Sequence, residues 1–157
     1  MSPAADDLTS AKADLRDLVT RMFVYTDRGR WDDLGGVFAD EVTLDWTALF
    51  GGEPATVPGP EVGGIWQQGM AGWKATQHLT GNILVELERD ADEATISVDA
   101  QATHYLPDDL GGSHWVLGCY YDMRARRTGL GWRLTDVTVH PIWSTGNRDL
   151  LRRAAGP

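Results

Sequence analysis

Two long stretches in which apolar and polar residues alternate constrain the fold of this chain more than any other feature. His104 continues the apolar face of the first stretch, whose other members are Ala94, Ile96, Val98, Ala100 and Ala102. One face of the second stretch carries Trp115, Leu117, Cys119, Tyr121 and Met123. Successive side chains of a strand point to opposite faces of its sheet, so this alternation predicts two strands with one buried face each.

An amphipathic helix is predicted near the start of the chain. Apolar residues at helical spacing run from Leu15 to Phe23, and Gly29 ends the helix. Asp27 falls at the edge of this apolar stripe. Residues 1–8 are expected to form a flexible tail ahead of it.

Shorter elements are predicted in the rest of the chain. A second helix is expected over 31–38 and a third from residue 60 or 61 to about 73, with a strand over 42–46 between them. Gly and Pro residues predict a loop over 51–60. A further strand over 79–89 would place His78 at its start.

The end of the chain is predicted to add one more strand. This strand, over 132–143, loses its alternation near Asp136, which predicts a β-bulge. Residues 148–157 are expected to be a flexible tail. Three helices followed by about four further strands, in one domain over 1–157, predict an α+β fold.

The composition narrows the classes of function. The net charge of −9 disfavours nucleic acid as a partner. Cys119 is the only cysteine, which excludes an internal disulfide and a cysteine-based metal cluster. The first residues lack the basic start and apolar segment of a signal peptide, and no apolar run reaches the ~18 residues that span a bilayer. We therefore expect a cytoplasmic location and no membrane partner.

His78 is the first candidate for chemistry. An imidazole can accept and release a proton near neutral pH, because its pKa is normally about 6.5. Asp27 would orient the His78 ring if the two meet in space. His104 lies on an apolar face, where a buried structural histidine is the ordinary outcome, although that face also points toward any cavity. Two imidazoles and a carboxylate form a known set of metal ligands, but their spacing here is not diagnostic of a metal site.

Seven tryptophans are the one unusual feature of the composition. Aromatic surface of this extent favours a well-walled pocket or a subunit interface, although core packing explains much of it. The candidate wall residues are Trp46, Trp66, Trp115, Tyr121 and Trp143. Cys119 shares the inward face and is interpreted as a small buried apolar residue that contacts the ligand, because no base lies near it in sequence.

Short motifs along nearly the whole chain, in the right order, resemble the SnoaL-like family of the nuclear transport factor two-like superfold. They are residues 27–34, 37–42 and 44–46, Gln77-His78 with Gly81-Asn82, residues 118–122 and 131–133, and Trp143 with Gly146-Asn147. The resemblance is closest to the branch that holds scytalone dehydratase and bile-acid dehydratases. It implies a cone-shaped barrel of a strongly curved mixed sheet packed with three N-terminal helices.

The same resemblance implies lyase or isomerase chemistry on ring-shaped substrates, no metal, no organic cofactor, and a homo-oligomer such as a dimer or trimer. It assigns Asp27 as the hydrogen-bond partner of His78, and it matches His104 with a second catalytic histidine. The tyrosines that polarise the carbonyl in scytalone dehydratase are replaced here by Thr26 and Trp46. The acid–base pair is thus retained, and the group that stabilises negative charge on oxygen is missing or relocated.

Three functions follow from these observations. The first is a cofactor-independent dehydratase, isomerase or cyclase, acting by His–Asp acid–base chemistry on a polycyclic or polyketide-like molecule of secondary metabolism. The second is an epoxide hydrolase or epoxide-opening cyclase, which would need a carboxylate pair such as Asp27 with Asp45 or Asp99. The third is a non-catalytic ligand-binding or scaffold module, because one fold serves many functions.

Overall fold

A single six-stranded sheet organises the molecule in the computed structural model, which describes residues 3–107 and 111–155. The strands are β1 Phe38–Asp45, β2 Ala55–Pro58, β3 Ala75–Glu86, β4 Glu93–Tyr105, β5 His114–Thr128 and β6 Gly131–Gly146. Their order across the sheet is β2-β1-β6-β5-β4-β3. Only the β1–β6 pair is parallel among these strands, so the sheet is mixed.

Five α-helices and two short 3₁₀ turns accompany the sheet in the described ranges. The helices are α1 Pro3–Asp27, α2 Trp31–Leu34, α3 Thr47–Phe50, α4 Val62–Met70 and α5 Asp149–Ala154, and the 3₁₀ turns are Gly35–Val37 and Gly59–Glu61. The apolar stripe of α1 packs into the concave side of the sheet, where Leu15 and Val19 are fully buried. No helix in the described part of the chain combines the length and the apolar character needed to span a membrane.

The alternation seen in the sequence matches the burial of the long strands. All six inward residues of β4, from Ala94 to His104, are buried, as are the five expected on β5. A register shift opposite Asp136, between Arg124 and Ala125, confirms the predicted bulge in β6. Bulges increase the local bend and twist of a sheet, and the α+β fold with a curved sheet is confirmed.

Helices occupy part of both segments that the sequence predicts as tails. Helix α1 begins at Pro3, because proline fits the first helical turn, where its missing N–H is not needed. At the other end α5 occupies residues 149–154, and Leu150 is fully buried. Residues 1–2 and 156–157 lie outside the described residues.

Two short elements lie within or beside the predicted loop. The Asp45 carboxylate, at the end of β1, accepts hydrogen bonds from the backbone N–H and the hydroxyl of Thr47. Thr47 is the first residue of α3. Trp46 therefore lies at the start of α3 instead of in a strand. Strand β2 pairs with β1 in an antiparallel ladder that includes Thr43 opposite Thr56.

Candidate active site

Asp27 and His78, which are 51 residues apart in sequence, form a close pair at the junction of α1 and β3. The Asp27 Oδ1 atom lies 2.7 Å from His78 Nδ1, and Asp27 Oδ2 accepts a 2.7 Å hydrogen bond from the His78 backbone N–H. The Thr76 hydroxyl donates a third hydrogen bond to Oδ1 at 3.0 Å. The sequence predicts His78 at the start of a strand. In the structure, β3 begins three residues earlier, so His78 is its fourth residue. The His78 side chain is 6% exposed and the Asp27 side chain is 17% exposed.

This environment fixes the protonation state of Asp27. Burial raises the pKa of the carboxyl group, but hydrogen bonds and charge interaction with His78, with help from Thr76, outweigh it and lower the pKa overall. Asp27 is therefore ionised at neutral pH. An ionised carboxylate can only accept a hydrogen bond, so His78 Nδ1 carries a proton. In the neutral ring, Nε2 is then left without a proton and is able to accept one.

The His78 ring lines a cavity of about 270 Å³ between the helices and the concave face of the sheet. The walls are mostly apolar: Met22, Phe23, Thr26, Trp46, Leu49, Phe50, Ile65, Trp66, Gly69, Met70, Trp73, His78, Ala102, His104, Trp115, Leu117, Tyr121 and Leu151. None of these described lining residues is Asp, Glu, Lys or Arg. Phe50 on α3 is 65% exposed and Ile65 on α4 is 42% exposed, which places the mouth of the cavity between those helices.

His104 reaches the same cavity from β4. Its ring centroid is 6.1 Å from that of His78, and it packs between Trp73 at 4.9 Å and Trp115 at 5.1 Å. Burial, together with repulsion from His78, lowers the pKa of His104 to about 4, although the Ala102 backbone and Asp27 act in the opposite direction. The ring is therefore uncharged at neutral pH. Among the described residues its buried Nδ1 atom has no hydrogen-bond partner.

Four of the six predicted wall residues line the cavity, namely Trp46, Trp66, Trp115 and Tyr121. Their rings pack edge to face, with Trp46 and Trp66 at 5.6 Å and Trp46 and Tyr121 at 6.5 Å between centroids. Edge-to-face contacts of this kind hold rings in fixed orientations. Phe23 joins this wall to the acid–base pair, because its ring lies 5.1 Å from the ring of His78.

The other two predicted wall residues, Cys119 and Trp143, do not line the cavity. Cys119 points inward and is 2% exposed, but its thiol faces the carbonyl oxygen of Ala100 at 3.7 Å. Burial raises the pKa of this thiol, which makes it a poor nucleophile. Trp143 pairs with Gly118 across the strands and lies on the outer face of the sheet.

The outward position of Trp143 has a simple cause. Gly118 pairs with Trp143 and Cys119 with Pro141, so Ile142 is an extra residue in β6. A one-residue bulge moves every following side chain to the opposite face of the sheet. The alternation in the sequence predicts the bulge near Asp136 but not this second one.

The structure also brings residues to the cavity that the sequence analysis did not assign to it. They include Met22, Phe23, Leu49, Met70, Trp73 and Leu151. Met22 and Phe23 were already visible as part of the apolar stripe of α1. Leu151 was assigned to a flexible tail, and its role follows from the docking of α5.

The carboxylates proposed as partners of Asp27 lie elsewhere. Asp45 accepts hydrogen bonds from Thr47 at the start of α3, and Asp99 accepts a 2.7 Å hydrogen bond from the Asn82 side chain at the surface. Neither residue lines the cavity. Within residues 3–107 and 111–155, no three His, Cys, Asp or Glu side chains are arranged to hold a metal ion.

A model of the SnoaL-like domain family matches residues 7–138. Among proteins of curated function, none matches the chain in sequence. The structure is similar to that of the Kfla4162 protein from Kribbella flavida, with a TM-score of 0.86 and 30% sequence identity, covering 92% of this chain and 99% of that one.

Two structures of lower identity share the fold. A putative scytalone dehydratase from Novosphingobium aromaticivorans has a TM-score of 0.77 at 13% identity, with 92% of each chain covered. A hexachlorocyclohexane dehydrochlorinase, LinA type 2, has a TM-score of 0.74 at 16% identity, with 90% of this chain and 91% of that chain covered. These likenesses confirm the nuclear transport factor two-like fold expected from the sequence motifs.

Proposed function

Because this chain belongs to the SnoaL-like domain family, we propose that it is a cofactor-independent lyase or isomerase, with Asp27 and His78 as its acid–base pair. The substrate would be an uncharged, ring-shaped molecule of a polycyclic or polyketide-like kind, made in secondary metabolism. The observation that carries this proposal is the 2.7 Å Asp27–His78 contact at the wall of an apolar cavity. A substrate that fills such a cavity would displace its water and strengthen the electrostatic interactions inside it.

The geometry supports a proton abstraction as the first step. His78 Nε2 would take a proton from a carbon next to a carbonyl group, and Asp27 would stabilise the imidazolium that forms. The electron pair left on the substrate either expels a leaving group on the neighbouring carbon or returns to another carbon with a proton. General acid–base catalysis by one such residue typically contributes about 10²–10⁴-fold in rate.

His104 would act in its uncharged form. With a pKa of about 4 it carries almost no positive charge at neutral pH. It can therefore donate a hydrogen bond, but it does not act as a general acid. A neutral imidazole at the cavity wall can orient a leaving hydroxyl group. The proton for the leaving group would therefore come from His78 or from water.

Elimination is the preferred reaction within this class. Two proteins of the same fold are named a dehydratase and a dehydrochlorinase, and both names describe eliminations. This support is an analogy between folds and does not extend to their substrates. An epoxide-opening reaction is less well supported, because neither Asp45 nor Asp99 lines the cavity to complete a carboxylate pair.

The proposal can be tested without the natural substrate. In D₂O, an enzyme that removes a proton next to a carbonyl exchanges deuterium into a ring ketone such as 1-tetralone, and ¹H NMR follows the exchange. We expect His78→Gln to lower the exchange rate by about 10²–10⁴-fold. We expect Asp27→Asn to lower the exchange rate as well. The matched control is His140→Gln, which removes an imidazole from a second Asp–His pair. In that pair, on the outer face of the sheet, His140 Nε2 lies 3.1 Å from Asp122 Oδ2.

Two outcomes would contradict the proposal. One is an exchange rate that His78→Gln leaves unchanged. The other is the absence of exchange above the buffer rate in the wild-type protein for every ring ketone that binds in the cavity. The second outcome would favour the non-catalytic ligand-binding alternative, which uses the same cavity without chemistry.

A further inference from the structure

Tyr121 is one of the few residues of the mostly apolar cavity wall that carry a polar group. Tyr121 is 4% exposed, and its ring packs edge to face against Phe23 at 5.2 Å and against Trp46 at 6.5 Å. These two contacts hold the ring, so the hydroxyl has little freedom to move. A buried hydroxyl is unfavourable unless it has a good hydrogen-bond partner.

The partner of this hydroxyl is a weak one. Cys119 lies two positions earlier on the same face of β5, and its thiol contacts the Tyr121 hydroxyl. A thiol is a poor donor and a poor acceptor, and this one also faces the carbonyl of Ala100. Within the described residues no stronger partner contacts the Tyr121 hydroxyl. A ligand oxygen in the cavity would be a better partner than the thiol.

The ring of Tyr121 also lies near the ring of the proposed base. Phe23 contacts both rings, at 5.1 Å for His78 and 5.2 Å for Tyr121, so those rings are at most about 10 Å apart. A reacting carbon sits about 3–3.5 Å from its base, and a carbonyl oxygen sits about 2.7 Å from a hydroxyl donor. One cyclic ketone bound between the two rings would make both contacts.

We propose that the Tyr121 hydroxyl donates a hydrogen bond to the carbonyl oxygen of a cyclic ketone ligand and stabilises the negative charge that develops there. Tyr121 would supply the oxyanion donor that Thr26 and Trp46 no longer provide. Burial, the larger cause, and Cys119 together raise the pKa of Tyr121 well above its usual value, so the hydroxyl stays protonated. The catalytic part of this role rests on the proposed function, because charge develops on the oxygen only when His78 acts as a base.

The test uses two neighbouring tyrosines on opposite faces of one strand. Tyr121→Phe removes the hydroxyl from the cavity, and Tyr120→Phe is the matched control, because Tyr120 stacks on His140 at 4.5 Å on the outer face. With carbonyl-¹³C-labelled 1-tetralone, we expect a downfield shift of the carbonyl carbon on binding to the wild type. Tyr121→Phe should lose this shift, bind the ketone about 2- to 10-fold more weakly, and exchange deuterium about 10²-fold more slowly.

Comparison with tetralin, which has the same rings and no oxygen, separates hydrogen bonding from packing. Tyr121→Phe should bind tetralin as the wild type does. Cys119→Ala should tighten ketone binding a few-fold, because it removes the competing thiol. A carbonyl shift that persists in Tyr121→Phe, or an equal loss of affinity for tetralin, would overturn the role of Tyr121.

These outcomes are distinguishable from a failure of the proposed function. The carbonyl shift and the preference for ketone over tetralin are measured at equilibrium and need no proton transfer. If His78→Gln has a normal exchange rate but the shift depends on Tyr121, the base is wrong and the donor is right. If His78→Gln exchanges deuterium more slowly but the carbonyl shift does not depend on Tyr121, the base is right and only the role of Tyr121 is wrong.

Discussion

The two histidines of the cavity differ in what surrounds each ring. His78 shares its Nδ1 proton with an ionised carboxylate, so its ring has a fixed tautomer. His104 lies between two tryptophan rings, and its buried Nδ1 has no partner among the described residues. The protein therefore holds His104 in the uncharged form, and folding opposes its protonation.

This difference predicts a pH dependence of stability. In the unfolded chain His104 has a pKa of about 6.5, and in the folded protein its pKa is about 4. The unfolded state thus binds a proton more readily between these values, so stability should fall as the pH drops from about 6.5 to 4. The loss is at most about 3 kcal/mol for a shift of this size. Urea denaturation at a series of pH values measures it.

His104→Gln is the matched variant for this experiment, since it keeps a polar side chain that does not titrate. We expect its stability to depend less on pH between 6.5 and 4 than that of the wild type. Asp27 contributes in a different window: its folded pKa is lowered, so its contribution is present above its unfolded pKa of 3.8 and is lost only below that value. An equal pH dependence in His104→Gln and the wild type would show that His104 is not held uncharged by burial.

The secondary-structure elements show how far sequence patterns reach. The long strands β4 and β5 could be predicted because every second residue over nine or more positions is apolar, which indicates one buried face. The elements α3 and β2 could not, because four residues are too few to show a period. The bulge at Ile142 left little signal in the sequence, and Trp143 was assigned to the wrong face as a result.

The candidate site was less predictable than the strands. The contact between Asp27 and His78 closes a loop of 51 residues, and no local pattern specifies which distant residues meet. The family resemblance identified this pair. The cavity lining was missed at Leu151 because its contacts come from the packing of a helix that is only six residues long.

Helix α4 supplies a prediction about packing. Gly63 is buried, and a Cβ atom added there would collide with the backbone carbonyl of Trp31, whereas a Cβ at Gly64 would meet no atom within 4 Å. We expect Gly63→Ala to lower the free energy of unfolding by about 1–3 kcal/mol, because backbone must shift to fit the methyl group. Gly64→Ala should raise it by up to about 1 kcal/mol, because alanine favours the helix. Urea denaturation compares the two variants.

The same pair of variants tests whether α4 sets the shape of the cavity. Ile65, Trp66 and Met70 of this helix line the wall. A displaced α4 should weaken 1-tetralone binding in Gly63→Ala and leave it unchanged in Gly64→Ala. Equal stability and equal binding in the two variants would contradict the close contact between α4 and Trp31.

The outer face of the sheet carries apolar side chains that the molecule itself does not cover. Leu79 and Trp143 lie in one row across β3 to β6, with Gln101 and Gly118 between them. They are 62% and 45% exposed, and Ile142 beside Trp143 is 62% exposed. Exposed apolar patches on a folded domain commonly mark contact surfaces. We propose that a second copy of the chain covers this patch, as the family resemblance implied.

A charge placed in the patch should separate the two copies. Ile142→Lys would bury an unpaired ammonium group at the contact, and we expect the dimer dissociation constant to rise at least about tenfold. Leu130→Lys is the matched control, because Leu130 is 82% exposed at the β5–β6 turn, at the other end of those strands. Sedimentation velocity over a range of protein concentrations gives the dimer dissociation constants of the wild type and of both lysine variants. The proposal is wrong if the wild type stays monomeric throughout, or if the two lysine variants weaken association equally, since general charge and not the patch would then govern assembly.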